Sequence, residues 1–185
     1  MNEAICEPFG HPRNAGRLLF DFSVMTCCMK QGMEKDRVLD FGAGSGWVTE
    51  FVARLGYRVT AFDIHGDLEG VLAGRSGADK RLDPSLMTFA HGDGHAMAFH
   101  DQSFGHILCF DTLHHMHSFD RVFAEFARIL KPGGRAIFVE PVQATARRPR
   151  RSTSSSSSPT TPHGSSATSC SRRSTRSRGV PACPN

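Results

Sequence analysis

Most of the chemistry legible in this chain is concentrated in the stretch Val38-Leu39-Asp40-Phe41-Gly42-Ala43-Gly44-Ser45-Gly46. A short apolar run flows into three alternating glycines, and helical spacing resumes after them. Glycine accepts positive φ and lets the main chain come close to a ligand. The helix behind it offers free N–H groups at its start. In open α/β sheets, ligands bind beyond the carboxyl ends of the strands. A nucleotide-like ligand is therefore expected here, with a purely structural strand-to-helix turn as the alternative.

The spacing narrows the choice of ligand. A dinucleotide fingerprint, G-x-G-x-x-G, would need glycine at position 47, where this chain has Trp47. Asp40 stands two residues before the first glycine. A carboxylate there would repel a pyrophosphate but could accept a hydrogen bond from an ammonium group. S-adenosylmethionine carries an ammonium and no phosphate, which makes it the expected cofactor. Asp63 ends the next strand, 21 residues after Gly42. A carboxylate so placed can accept hydrogen bonds from both ribose hydroxyls; taken alone, it would read as a helix cap or a solvated loop acid.

Histidines crowd the second half of the chain: His91, His95, His100, His106, His114, His115 and His117. The adjacent loop histidines His114 and His115 lack the i, i+4 placement that aims two ligands at one ion, and no Cys or carboxylate completes a zinc set. No metal site is expected. His114 or His115 could form a wall of the acceptor pocket or act as a general base, since neutral imidazole takes protons near pH 7. A loop histidine that packs without chemistry is the open alternative.

These residues need a frame to hold them. Residues 16–30 carry apolar side chains at helical spacing, and so do 46–55 and 119–130; a short helix is expected at 67–72. Gly56 ends the second of these, and Ser118 is an expected N-cap for the last, which Pro132-Gly133-Gly134 ends. Strands are expected at 37–41, 57–63, 85–90, 104–110 and 135–140. Strands alternating with helices predict a parallel sheet covered on both faces.

Composition divides the chain. From Pro141 onward there is no Asp, Glu or Lys and no Leu, Ile, Met, Phe, Tyr or Trp, while eight Arg occur there. The net charge of +4 for the whole chain thus becomes −4 for residues 1–140. A mildly acidic folded part gives no electrostatic reason to expect nucleic acid as a partner, and the Arg-rich tail lacks aromatic residues to stack on bases. Residues 142–185 have almost nothing to bury and are expected to be disordered. No run approaches the roughly 18 apolar residues of a membrane span, and the first ten residues lack a signal-peptide pattern. The six Cys show no CxxC pair and read as free thiols in a cytoplasmic protein. Cys27, Cys28 and Cys109 lie in apolar runs and are expected to be buried.

The ordered segments VLDFGAGSGW, AFDIH, HGDGHAMAFHDQSF, LCFDTLHHM and LKPGGRAIFVEP resemble the successive motifs of class I S-adenosylmethionine-dependent methyltransferases, above all the small-molecule group. The resemblance covers Arg37 to Pro141. It implies that Asp40, Gly42, Ala43, Gly44 and Gly46 line the methionine moiety. By the same resemblance Asp63 holds the ribose and Ile64 packs on the adenine. Asp93 binds the adenine amino group beside Gly94 and His95, and Asp111 faces the transferable methyl. The expected fold is a Rossmann-like, doubly wound, mostly parallel sheet of five strands.

The chain departs from the family pattern in two places. Gly105 stands where the family usually has Asp, and a small loss of stability at that strand start is expected. The family's C-terminal helix and antiparallel strand pair are missing, and the text after Glu140 reads like a frameshift, with a true low-complexity tail as the alternative. The expected organisation is an N-terminal helical cap (1–36), a cofactor-binding core (37–141) and a tail (142–185). The expected activity is methyl transfer to a small-molecule acceptor, or cofactor binding with weak or no turnover. Self-association through an uncovered sheet edge is expected.

Overall fold

The computed structural model describes residues 7–10, 12–30 and 36–141. The chain divides into two units, Met1–Ala144 and Thr145–Asn185. Expectations for residues 142–185 fall outside the described residues. The N-terminal helix and the sheet belong to the same first unit.

Five strands form one sheet: β1 (Arg37–Phe41), β2 (Arg58–Asp63), β3 (Met87–His91), β4 (Phe104–Phe110) and β5 (Leu130–Val139). Their order across the sheet is β3-β2-β1-β4-β5, and every pair is parallel. The order reverses at β1, next to β4, which opens a crevice at the strand ends. The apolar runs explain the burial. All seven residues of β4 are buried, as in a strand covered on both faces.

Alternation divides the side chains between the two faces. Val38, Leu108 and Phe110 pack with Met25 of helix α1 (Pro12–Cys27), with Met29 just after it, and with Trp47, Val48 and Val52 of α2 (Trp47–Arg54). Leu39, Phe41, Ile107 and Cys109 pack on the other face against Val122, Phe126 and Ile129 of α4 (Phe119–Ile129). Helix α3 (Leu68–Ala78) follows β2, and Leu68 and Leu72 close over Ala43 and Ala61.

Several boundaries differ from expectation for local reasons. Helix α1 begins four residues early, at Pro12, a residue whose fixed φ and missing N–H suit the first turn. Helix α3 runs six residues beyond 72. A 3-10 turn, Pro84–Leu86, precedes β3 because Asp83 Oδ1 accepts from the Ser85 N–H at 2.9 Å. Ser118 occupies the N-cap of α4, but its side chain makes no capping bond. Cys27 and Cys28 are exposed, since Met25 and Met29 take the buried seam of that segment; Cys109 is buried.

Strand β5 begins at Leu130, directly after α4, so Pro132-Gly133-Gly134 lies inside the strand and does not merely end the helix. The pairing shifts between Phe104 and His106, and Gly105 sits at that irregularity. A Cβ on Gly105 would fall 2.6 Å from Asp36 Cβ, and one on Gly134 would fall 2.7 Å from Gly105 O. Gly134 thus lets β5 approach β4, and Gly105 leaves room for the Asp36 side chain.

Candidate cofactor site

Glycines close the turn after β1. Gly42, Gly44 and Gly46 have φ of 72°, 50° and 70°, all in the left-handed region. The N–H groups of Gly42 and Ala43 donate to Phe62 O at 2.8 and 3.1 Å, which fastens the turn to β2. A Cβ on Gly42 would lie 2.0 Å from Thr112 Cγ2, whereas one on Gly44 would meet nothing nearer than Gly42 O at 3.9 Å. Gly42 is thus needed for packing, and Gly44 for an open surface.

That surface borders a cavity of about 510 Å³ at the carboxyl ends of β1, β2, β3 and β4. Its size is ordinary for a small-molecule or cofactor site. The expected residues Gly42, Gly44, Asp63, Ile64, Asp93, Gly94, Asp111 and His115 line it. Phe41 and Phe62, stacked at 5.8 Å, lie among the walls, and a Cβ on Gly94 would strike the Phe41 ring at 2.5 Å. Glycine is what lets the 92–95 loop lie against that ring.

Asp40, Ala43, Gly46 and His114 are not wall residues. Asp40 lies under α2, where its Oδ2 accepts from the Thr49 hydroxyl at 2.5 Å. Burial pushes its pKa up to about 7, against the Thr49 hydrogen bonds, which favour the ion. In this structure the Asp40 carboxylate is thus held by α2, behind the cavity wall. Ala43 packs against Leu68 and Leu72, and Gly46 backs onto Leu72 and precedes α2. His114 is drawn away to Glu140, at 2.7 Å from Nδ1 to Oε2.

The acids at the cavity keep accepting capacity. Asp63 Oδ2 accepts from the Gly44 N–H and Oδ1 from the His65 N–H, both at 2.9 Å. Two lone-pair positions remain for ligand hydroxyls. Asp93 Oδ1 accepts from His95 N–H at 2.9 Å and meets His95 Nδ1 at 2.6 Å. These bonds, the main-chain one first, hold its pKa below the usual range. His95 Nε2 accepts from the Ser118 N–H at 3.3 Å, joining Asp93 to the start of α4.

The sequence pattern does not reveal Arg17, Phe41, Phe62, His65, Gly92, Thr112, Met116, His117 and Glu140 as site residues. Glu140 carries the clearest signal of these, as an acid one residue beyond a strand, much like Asp63. It accepts from the N–H groups of Thr112 at 3.0 Å and Leu113 at 2.6 Å. Burial would raise its pKa, but His114 and these amides outweigh burial and lower it. Among the described residues there is no group of three or more His, Cys, Asp or Glu placed to hold a metal ion. No helix among them is long and apolar enough to cross a membrane.

Among the described residues the walls contain no Lys or Arg but three carboxylates, Asp63, Asp93 and Asp111. That set disfavours a pyrophosphate and suits a nucleoside bearing positive charge. The fold and the cavity together define a nucleoside-binding α/β protein of the Rossmann-like class. Residues 39–138 match the methyltransferase domain family, and the chain belongs to that family, within the class I S-adenosylmethionine-dependent methyltransferases. Its cofactor is S-adenosylmethionine, and the residues at the cavity fit it.

Relatives and solved structures agree with this placement. A demethylmenaquinone methyltransferase of Thermobifida fusca is 36% identical over 110 residues, spanning 57% of this chain and 45% of that protein. A ubiquinone biosynthesis O-methyltransferase of Xanthomonas oryzae pv. oryzae is 33% identical over 109 residues, spanning 59% and 44%. The chain thus spans less than half the length of these relatives. A SAM-dependent methyltransferase structure from Methanosarcina mazei aligns with TM-score 0.51 at 28% identity, covering 57% of this chain and 52% of that one. The YcgJ protein of Bacillus subtilis shares the fold, with TM-score 0.58 at 24% identity, covering 66% and 50%.

Proposed function

We propose that this chain carries out S-adenosylmethionine-dependent methyl transfer to a small-molecule acceptor. The observation that carries this reading is the cavity that joins the Gly44 main chain to Asp63 and Asp93, with no Lys or Arg in its walls among the described residues. When bound, the cofactor supplies an electrophilic sulfonium methyl to an O, N, S or C nucleophile, so the protein's task is mainly to hold the reactants close and in line. Asp63 would hold the ribose hydroxyls, Asp93 the adenine amino group, and Ile64 would cover the base. The relatives' names, demethylmenaquinone methyltransferase and ubiquinone biosynthesis O-methyltransferase, support a small acceptor, which would enter beside Met116, His115 and His117.

His115, at the cavity wall, is the general base in this reading when the nucleophile carries a proton. His114 would support it: its ring lies 4.0 Å from that of His115 and its Nδ1 is held by Glu140. Self-association is part of the same proposal. Strand β5 is an edge among the described residues, and its Phe138 is exposed, as are Phe119 and Phe123 of α4.

Calorimetry with S-adenosylhomocysteine and with NADH tests the cofactor, and a methyl-donor turnover assay on the same preparation tests the reaction. Binding of NADH alone would overturn the reading. Binding of S-adenosylhomocysteine without turnover against quinone precursors and other small phenols would leave a cofactor-binding protein. Sedimentation across a concentration series checks self-association.

A further inference from the structure

Asp93 is an exposed acid with a lopsided set of bonds. Its side chain is 62% exposed, so packing does little to hold the carboxylate. An acid in that condition turns freely about its last torsion and offers either oxygen. Yet both bonds it accepts go to Oδ1: one from the His95 N–H at 2.9 Å, the other from the His95 ring at Nδ1, 2.6 Å away. Among the described residues nothing bonds to Oδ2, and Asp93 is part of the cavity wall.

The ring that makes the second bond is itself fixed. The His95 side chain is 15% exposed, and its Nε2 accepts from the Ser118 N–H at 3.3 Å. An ionised carboxylate only accepts and a backbone amide N–H only donates. The ring must therefore donate at Nδ1 and accept at Nε2, which defines the neutral Nδ1–H tautomer. Ser118 is the residue before α4, and α4 is packed on the sheet through Val122, Phe126 and Ile129. One imidazole thus ties the orientation of an exposed acid to the buried core. Arg121, also on α4, adds a charge that favours the Asp93 ion.

An acceptor held in one orientation discriminates by hydrogen-bond polarity. A 6-amino purine donates to it. A 6-oxo purine turns a carbonyl oxygen toward it, and two acceptors meet.

We propose that His95 is the positioning residue for base selectivity: by holding Asp93 Oδ1 it leaves Oδ2 to the exocyclic amino group of adenine and so disfavours 6-oxo purines. This rests on Asp93 facing the adenine of the cofactor.

Two ligands test it, S-adenosylhomocysteine and S-inosylhomocysteine, which differ only at the purine 6-position and the N1 proton that goes with it. By calorimetry the wild type should prefer the adenine ligand by about tenfold or more. His95→Ala should cut that preference by about threefold or more. His95→Asn places an amide N–H near the position of Nδ1 and should restore most of the preference, although it is too short for Ser118. Exchange of the Ser118 amide should therefore be faster in both variants. In Asp93→Ala, adding His95→Ala should change the preference no further, because His95 acts through Asp93. The ring nitrogen shifts of His95 should be those of the Nδ1–H tautomer. Thermal unfolding checks that each variant is folded. An unchanged preference in folded His95→Ala would overturn the proposal, since equal weakening of both ligands is the mark of a structural role. The opposite tautomer would overturn it too. A wild type that binds both ligands alike would remove Asp93 from the adenine, and the role of His95 with it. If the wild type binds neither, the placement of the cofactor itself fails.

Discussion

The Asp63 carboxylate ties the glycine turn to the loop after β2: Oδ2 accepts from the Gly44 N–H at 2.9 Å while Oδ1 accepts from the His65 N–H at the same distance. The acid that would hold the ribose thus also shapes the turn that the ligand lies against. Asp63→Ala is expected to weaken S-adenosylhomocysteine by roughly 1.5–3 kcal/mol through the lost charged acceptor. It should also speed hydrogen exchange at the Gly44 amide. Asp63→Asn keeps one accepting oxygen and should fall between the two in both measurements. Wild-type affinity in Asp63→Ala would remove the ribose role.

The glycines of the turn should separate folding from binding. Gly42→Ala puts a methyl 2.0 Å from Thr112 Cγ2 at a φ of 72° and should cost several kcal/mol of stability. Gly44→Ala meets open space and should cost only the strain of its φ of 50°, about 1–2 kcal/mol. Its methyl has no close protein neighbour, so its larger effect should be on cofactor affinity. Thermal unfolding and calorimetry on both variants check this. Equal stability losses would contradict the division.

The strands were legible because apolar runs ended at glycine or at an acid, and β1 and β4 fall on the expected residues. The start of β5 was not, because Pro132-Gly133-Gly134 reads locally as a break. Its pairing with β4 makes it strand, and Gly134 permits the close approach to Gly105. In the site, Asp63 was legible as an acid at a strand end, and Asp93 and Asp111 through the family resemblance alone; all three line the cavity. The burial of Asp40 was not legible, because alternation places it on the face of Val38, beneath α2, and the turn's spacing does not reveal that parity. Arg17, which pairs with Asp111 at 2.9 Å, could not be read at all. It is one charged residue on an amphipathic helix, and its partner is distant in sequence.

Glu140 holds the loop beside the cavity. Removing its carboxylate leaves the Thr112 and Leu113 N–H groups and His114 Nδ1 without their acceptor. Glu140→Ala is expected to cost about 1–3 kcal/mol and to raise hydrogen exchange at Thr112 and Leu113. Glu140→Gln should lose less. The folded pKa of this acid is lowered, so its stabilisation is present above the ordinary carboxylate range and fades as pH falls through the folded value. Unfolding curves near neutral pH and in acid, on wild type and Glu140→Gln, should therefore converge in acid. A gap that persists there would mean the charge is not what matters.

Asp40 should act in the opposite direction. Burial raises its folded pKa from the ordinary 3.8 to about 7, the Thr49 hydroxyl and amide hold it partly down, and the Asp63 charge raises it further. In the unfolded chain the same group titrates in the ordinary range. Between the two values the folded protein keeps a proton that the unfolded chain has released. Stability therefore decreases as pH rises from about 4 to about 7, by about 1.4 kcal/mol for each pH step of one, and levels off above. Asp40→Asn keeps the shape and the acceptor for the Thr49 hydroxyl but cannot ionise. It should be more stable than wild type above neutral pH by on the order of 2–4 kcal/mol, and the two should converge as pH falls toward 4. Urea unfolding followed by the fluorescence of Trp47, the single tryptophan, across this range reads the difference directly. Because Asp40 is not a wall residue, S-adenosylhomocysteine affinity should change little in the variant. Parallel stability curves for the two proteins would show that Asp40 stays ionised throughout, and a large loss of affinity would return it to the ligand.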